Sequence, residues 1–107
     1  MLPKKDRVDT KTVESIFTQG KFINSVFFTF KYIVVPGKTA RISFIAPKNL
    51  SKLAPKRNLL RRKGYKAVRK YMAAIPSGVF GIFIFKKYET DASLIENDIK
   101  KIIAKIR

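Results

Sequence analysis

Residues 79–85 read VFGIFIF, a run of seven residues without a charged or polar side chain. A continuous apolar run of this length is typical of a strand that is buried on both faces, whereas a strand with one solvated face alternates. The turn residues Pro76-Ser77-Gly78 stand directly before the run. The sequence therefore predicts a strand here that is covered on both sides.

A second strand, with only one buried face, is predicted within residues 22–35. FINSVFFTFKYIVV is rich in aromatic and β-branched residues, and its second half alternates large rings with Thr29 and Lys31. The predicted buried face consists of Phe28, Phe30 and Tyr32.

Turn residues divide this part of the chain further. Asn24 and Ser25 mark a bend after a short preceding strand, and Pro36-Gly37 marks a turn before a further strand over about residues 39–46. Because a turn joins them directly, the two longer strands are expected to pair as an antiparallel hairpin.

Three helices are predicted around these strands. Capping residues and Gly20 bound a short helix over about residues 11–19, and helix propensity is high from Ala54 to Met72. The last segment, ETDASLIENDIKKIIAKIR, has acids at its start, bases at its end and an amphipathic spacing. Its apolar stripe contains Leu94, Ile95, Ile99, Ile102, Ile103 and Ile106.

The predicted fold class is α+β: a single sheet of about four strands with helices packed on it, in the order α-β-β-β-α-β-α. A length of 107 residues allows one core, so residues 1–107 are expected to form a single domain.

The charge of the chain is extreme. Twenty-four Lys and Arg face seven Asp and Glu, for a formal net charge of +17, and no acidic residue lies between Glu14 and Glu89. A basic surface that is merely soluble normally interleaves both signs, so this distribution predicts a polyanionic partner.

Catalysis by protein side chains is not expected. The chain has no Cys and no His, which excludes disulfides, thiolate zinc sites and the commonest general base. The seven carboxylates stand near the two ends, where helix starts account for them, and neither a catalytic group nor a metal cluster is predicted. They are Asp6, Asp9, Glu14, Glu89, Asp91, Glu96 and Asp98.

The basic charge is concentrated before and within the central helix, KLAPKRNLLRRKGYKAVRKY at residues 52–71. Ten bases and no acid occur from Lys48 to Lys70. On a helical wheel the apolar arc contains Leu53, Leu60, Gly64, Ala67, Val68, Tyr71 and Met72. The opposite arc contains Lys56, Asn58, Arg62, Lys63, Lys66, Arg69 and Lys70, while Arg57 and Arg61 fall at the rim of the apolar arc.

Three features of this helix argue against an ordinary solvated face. No acid stands four residues from a base to relieve the repulsion between like charges. Gly64 costs roughly 1 kcal/mol relative to Ala inside a helix, which indicates close approach to the backbone. Leu59 points out of the basic arc. Nucleic acid is favoured over a membrane surface, because the core requires the large apolar residues of the helix.

A family resemblance separates RNA from DNA, which charge alone does not. The run Arg57-Asn58-Leu59-Leu60-Arg61-Arg62 resembles the R-N-R signature of the bacterial ribonuclease P protein subunit. The segments MLPKKDR, VESIFTQGK, FFTFKY and RISFIAPK also stand in the order and spacing of that family. Two residues depart from its pattern: Leu59 replaces the third signature Arg, and Asn49 replaces a common Lys.

The resemblance implies the protein subunit of a ribonucleoprotein endonuclease, a hydrolase of tRNA processing that removes the 5′ leader from precursor tRNA. It implies that the RNA subunit and the substrate hold catalytic Mg²⁺, and that the partners are the ribonuclease P catalytic RNA and the precursor tRNA leader. It also implies an uncommon left-handed βαβ crossover through the central helix.

Two sets of binding residues follow. Catalytic RNA is expected to bind Lys48, Lys52, Lys56, Arg57, Asn58, Arg61, Arg62, Lys66 and Arg69. The leader is expected to bind a cleft between the first helix and the sheet, at Val13, Phe17 and Lys31, although core packing accounts equally well for Val13 and Phe17.

Three alternatives belong to other classes: a structural RNA-binding protein such as a ribosomal protein, a DNA-bending protein, and a nuclease that holds metal with its terminal carboxylates. No signal peptide or membrane span is expected, and no obligate protein partner, which favours a cytoplasmic protein.

Overall fold

The computed structural model describes residues 6–106, so residues 1–5 of the MLPKKDR segment lie outside it. The elements are α1 (Thr10–Gln19), β1 (Lys21–Asn24), β2 (Phe28–Val34), β3 (Arg41–Ile45), α2 (Ala54–Arg69), a 3₁₀ turn (Met72–Ala74), β4 (Val79–Phe85) and α3 (Ala92–Lys105). Their order confirms the predicted α+β class and its sequence of helices and strands. α2 is shorter than predicted, because its last turn continues as the 3₁₀ turn.

The four strands form one mixed sheet in the order β1-β2-β4-β3. β4 lies between β2, to which it is antiparallel, and β3, to which it is parallel. The predicted hairpin between β2 and β3 is therefore wrong. β2 pairs with β1 on one side and with β4 on the other, so neither side of β2 is free for β3. β3 pairs with the other side of β4. The crossover from β3 to β4 runs through α2, and its left hand stays a prediction from the resemblance.

The sheet is covered on both faces, as the apolar run at residues 79–85 predicts. α2 and α3 cover the face that carries Phe28, Phe30 and Phe83. α1 covers the other face, where Ile16 packs with Phe80 and Ile82.

The larger core is built from aromatic rings. Phe44 stacks on Phe83 at a centroid distance of 4.9 Å and meets Tyr65 edge-on at 5.0 Å. Gly64 of α2 lies directly over Phe44, so that a Cβ at residue 64 would come within 2.5 Å of the ring. The close approach predicted at Gly64 is thus confirmed, but its partner is a core ring and not a ligand.

Carboxylates position the helices. Asp9 accepts a hydrogen bond from the Thr12 N–H at 2.8 Å and begins α1. Asp91 begins α3 by accepting from the Ser93 N–H at 2.9 Å. Asp98 does not serve a helix start, contrary to the prediction. It is buried in the middle of α3 and holds the turn between β1 and β2, accepting from the Phe27 N–H at 3.0 Å.

Two predicted core residues are wrong. Leu53 is the N-cap of α2 and is 58% exposed, because the helix begins there instead of continuing over the sheet. Leu94 is 43% exposed in the first turn of α3. The other members of the predicted α3 stripe are buried.

Candidate nucleic-acid interface

The outer side of α2 presents a row of bases to solvent. Exposed side chains at successive turns of the helix are Lys56, Asn58, Arg62, Lys66 and Arg69. Lys48 and Lys52 are exposed in the link that leads from β3 into the helix. We call these residues, together with Arg57 and Arg61, the basic face. The basic face contains every residue that the sequence predicts for binding the catalytic RNA.

Arg57 and Arg61 lie at the rim of the basic face, as the helical wheel predicts, and both are half-buried. The Arg57 Nη1 donates a hydrogen bond to the Ser51 carbonyl oxygen at 2.9 Å. This contact fixes the link to the first turn of α2. Arg57 therefore has a structural contact besides any contact with a ligand.

Arg61 and Asn58 form a unit within the basic face. The Arg61 Nη2 donates to the Asn58 Oδ1 one helical turn away. Together with Pro55 and Arg62 they line an open cavity of about 500 Å³. The guanidinium of Arg61 thus lies beside Asn58 at this cavity, and its planar group of donors can make a bidentate contact with phosphate.

A second, smaller cavity of about 290 Å³ lies between α2 and the start of α3. We call it the α2–α3 cavity. Leu59, which the helical wheel predicts to point out of the basic arc, forms part of its wall and is half-buried. Arg62 lines the α2–α3 cavity and also the cavity beside Arg61 and Asn58.

An acidic residue of α3 reaches the basic helix across the α2–α3 cavity. The Lys70 Nζ donates to the Glu96 Oε1 at 2.8 Å. This hydrogen bond is the main cause that lowers the pKa of Glu96 and raises the pKa of Lys70, so both groups are charged at neutral pH. The sequence does not predict this pair, because the two residues are neighbours only after the helices pack.

The second predicted surface lies on the opposite side of the sheet, between α1 and β2. The Nζ of Lys31 lies 5.0 Å from the centroid of the Phe17 ring. Phe17 is 42% exposed, whereas Val13 is half-buried and packs against the cluster of Ile16, Phe80 and Ile82. The structure thus brings Phe17 and Lys31 together at the surface and assigns Val13 mainly to the core.

Phe22 extends this second surface and was not predicted. It pairs with Lys31 across β1 and β2, which places both side chains on the same face of the sheet. Phe22 is 64% exposed. We call Phe17, Phe22 and Lys31 the aromatic patch. The sequence signal for Phe22 was an aromatic residue in a short edge strand, which alone does not reveal its exposure.

A third cavity, of about 450 Å³, lies at the start of α1 and was not predicted either. It is lined by Asp9, Arg41, Ser43 and Tyr65, among other residues. The guanidinium of Arg41 lies 5.4 Å from the centroid of the Phe80 ring, and its charge contributes to the lowered pKa of Asp9, after the Thr12 hydrogen bonds.

Within residues 6–106, the structure contains no group of three or more Asp, Glu, His or Cys side chains that could hold a metal ion. None of the helices in this described part is long and apolar enough to cross a membrane. The cap residues Asp9 and Asp91, the paired Glu96 and the buried Asp98 each have a structural contact of their own.

The fold and the charge of the chain define a basic α+β protein. The family described as Ribonuclease P matches residues 2–107. The fold is similar to that of the RNase P protein from Thermotoga maritima, with a TM-score of 0.84, 18% identity, and coverage of 94% of this chain and 97% of that chain. An RNase P protein from Staphylococcus aureus gives a TM-score of 0.80, 18% identity, and coverage of 94% and 96%. A comparison with curated protein sequences gives no match.

The chain belongs to the ribonuclease P protein family, since the family match spans nearly its whole length. It is thus the accessory protein subunit of a tRNA 5′-processing endoribonuclease. This result confirms the resemblance found in the sequence and does not favour the ribosomal-protein alternative.

Proposed function

We propose that the two surfaces of the protein bind two different RNAs: the basic face binds the ribonuclease P catalytic RNA, and the aromatic patch binds the 5′ leader of precursor tRNA. The observation that carries this proposal is their separation. The basic face lies on α2, on one side of the sheet, while Phe17 and Lys31 lie on the side covered by α1. Two RNA segments can then contact the protein at the same time without competing.

The basic face suits a folded RNA. Its bases are spaced along α2 at successive turns, and nothing on α2 itself neutralises them. Contacts of this kind neutralise phosphates and release counterions, which gives affinity without reading sequence. The neighbouring Arg61 and Asn58 add side-chain hydrogen-bonding groups to this electrostatic surface.

The aromatic patch suits a single strand. An exposed ring offers a stacking platform for an unpaired base, and the neighbouring ammonium of Lys31 offers a contact for phosphate. Stacking on an aromatic ring tolerates any base, because each base has a π-face. This tolerance suits an enzyme that processes many precursors with different leaders.

In this proposal the catalytic RNA, and not the protein, catalyses cleavage of the scissile bond. Mg²⁺ ions held by the catalytic RNA and the substrate would supply the activated water and stabilise the leaving oxygen. The side chains of this protein bind and orient the two RNAs. The complex acts in the cytoplasm and requires no further protein.

Reconstitution tests the proposal. A bacterial ribonuclease P RNA is incubated with precursor tRNA at low Mg²⁺, with and without this protein. We expect release of the 5′ leader only when RNA and protein are both present, and no cleavage by protein alone. Cleavage by nuclease-free protein, or an equal rate of RNA-only cleavage with and without the protein, would contradict the proposal.

A further inference from the structure

The α2–α3 cavity has a composition that the binding of RNA phosphates alone does not explain. Its volume is about 290 Å³, just below the roughly 300–1,000 Å³ of small-ligand sites. Its lining combines apolar side chains with bases. The residues are Leu59, Arg62, Lys63, Lys66, Ala67 and Ala92.

The apolar part of this lining is contributed by both helices. Ala67 is buried, Leu59 is half-buried, and Ala92 stands at the first turn of α3. A site that binds only phosphate has no need of an apolar wall, whereas a planar base gains from leaving water against one. The guanidinium of Arg62 at the edge can also stack on a base.

The polar part fits the rest of a nucleotide. Lys63 and Lys66 border the same cavity and match the negative charge of a phosphate. Lys70 and Glu96 also line the cavity, and their ion pair holds the two helices together there. The carboxylate of Glu96 is a hydrogen-bond acceptor in this lining and is complementary to the amino group of a base.

We propose that the α2–α3 cavity holds one unstacked nucleotide of the RNA that binds the basic face, with its base against Leu59 and Ala67 and its phosphate near Lys63 and Lys66. This inference deepens the proposed function and rests on it. It accounts for Leu59 at the position where the family signature normally has Arg. A long charged side chain there would occupy the space of the base, whereas leucine leaves an apolar wall.

The first test uses free nucleotides and the full chain labelled with ¹⁵N. Each of the four ribonucleoside 5′-monophosphates is titrated, and ribose 5-phosphate serves as the ligand that lacks only the base. We expect the tightest nucleotide to bind roughly 3- to 30-fold more tightly than ribose 5-phosphate, the range for one cation–π or stacking contact. The amide signals of Leu59, Ala67 and Ala92 should shift. Equal affinity, no binding, or shifts confined to other residues would overturn the inference.

The second test blocks the cavity without removing a charge. Ala92→Trp places a large ring at its mouth, and Ala104→Trp is the matched control at an exposed position of the same helix. In a variant that melts like the parent, Ala92→Trp should abolish the preference for nucleotide over ribose 5-phosphate, and Ala104→Trp should retain it. Leu59→Arg is the second blocking variant and should act in the same way.

Binding of a ribonuclease P RNA separates the two possible failures. Ala92→Trp should weaken this binding roughly 3- to 30-fold relative to Ala104→Trp. If the parent does not bind the RNA at all, the proposed function fails. If the parent binds it and Ala92→Trp binds it equally well, the basic face stands and only the nucleotide site is wrong.

Discussion

The ammonium of Lys31 lies 5.0 Å from the centroid of the Phe17 ring, at a surface where Phe17 is 42% exposed. A cation over the face of an aromatic ring is attracted by its quadrupole, and this contact holds the two side chains together. The exposed part of the ring is free to stack on a base. The pair therefore presents a stacking platform beside a phosphate contact.

Phe17→Ala should remove the preference of the protein for precursor over mature tRNA. If one leader base stacks on the ring, the loss corresponds to roughly 1–3 kcal/mol. The measurement is the ratio of dissociation constants for the two tRNAs, with the protein assembled on the catalytic RNA. Binding of the catalytic RNA itself should not change.

Tyr88→Ala is the matched control for this variant, because Tyr88 is 41% exposed and lies outside the aromatic patch. It should keep the preference of the parent. A folded Phe17→Ala protein that still prefers the precursor as strongly as Tyr88→Ala does would show that Phe17 does not contact the leader.

The affinity of the protein for the catalytic RNA should fall steeply as salt increases. If the basic face contacts about six phosphates, the slope of log K against log salt should be roughly −4 to −5. Filter binding over a range of KCl concentrations measures this slope. A slope near zero would be incompatible with an electrostatic basic face.

Gly64→Ala should destabilise the fold, although alanine is the better helix former by roughly 1 kcal/mol. The new Cβ would come within 2.5 Å of the Phe44 ring, which is itself held against Phe83 and Tyr65. Overpacking of this kind costs about 1–3 kcal/mol, so after the gain in helix propensity we expect a net loss of up to about 2 kcal/mol in the free energy of urea unfolding. When Phe44 is first replaced by leucine, Gly64→Ala should lower the free energy of unfolding by less than it does in the parent protein. A Gly64→Ala protein that is more stable than the parent would disprove the close contact.

Asp91→Asn should lower the melting temperature at neutral pH and not at acid pH. Hydrogen bonds from Ser93 are the main cause that lowers the pKa of Asp91 in the folded protein. A lowered carboxyl pKa contributes stability above the ordinary value, about pH 4, and this stability is lost as pH falls through the folded pKa. Asparagine can still cap the helix, so only the charge is removed. A difference between the two proteins that is constant from pH 7 to pH 2 would contradict this role for the charge.

The sequence predicted those parts of the fold that depend on local pattern. The apolar run at residues 79–85 and the alternation from Phe28 gave the correct strands and the correct buried face. The pairing of β2 with β3 was wrong, because strand order depends on which edges remain free after α2 crosses the sheet. A turn such as Pro36-Gly37 does not encode that information.

The candidate site was predictable to the same extent. The bases of α2 are exposed because the apolar arc of the same helix packs inward, which a helical wheel can show. The α2–α3 cavity, the Lys70–Glu96 pair and the exposure of Phe22 each depend on contacts between distant segments. The spacing of residues along the sequence therefore cannot predict these contacts.

The most direct test of the central claim is the dissociation constant of the catalytic RNA for Arg61→Ala/Arg62→Ala. Lys101→Ala/Lys105→Ala on α3 is the matched control, because it removes the same charge from exposed positions outside the basic face. We predict that the arginine variant loses about 1–3 kcal/mol of binding free energy, whichever precursor is present, as expected for lost charge-assisted hydrogen bonds. The lysine control should lose much less. Equal losses in the two variants would show that binding depends on net charge alone and would contradict a docking surface on α2.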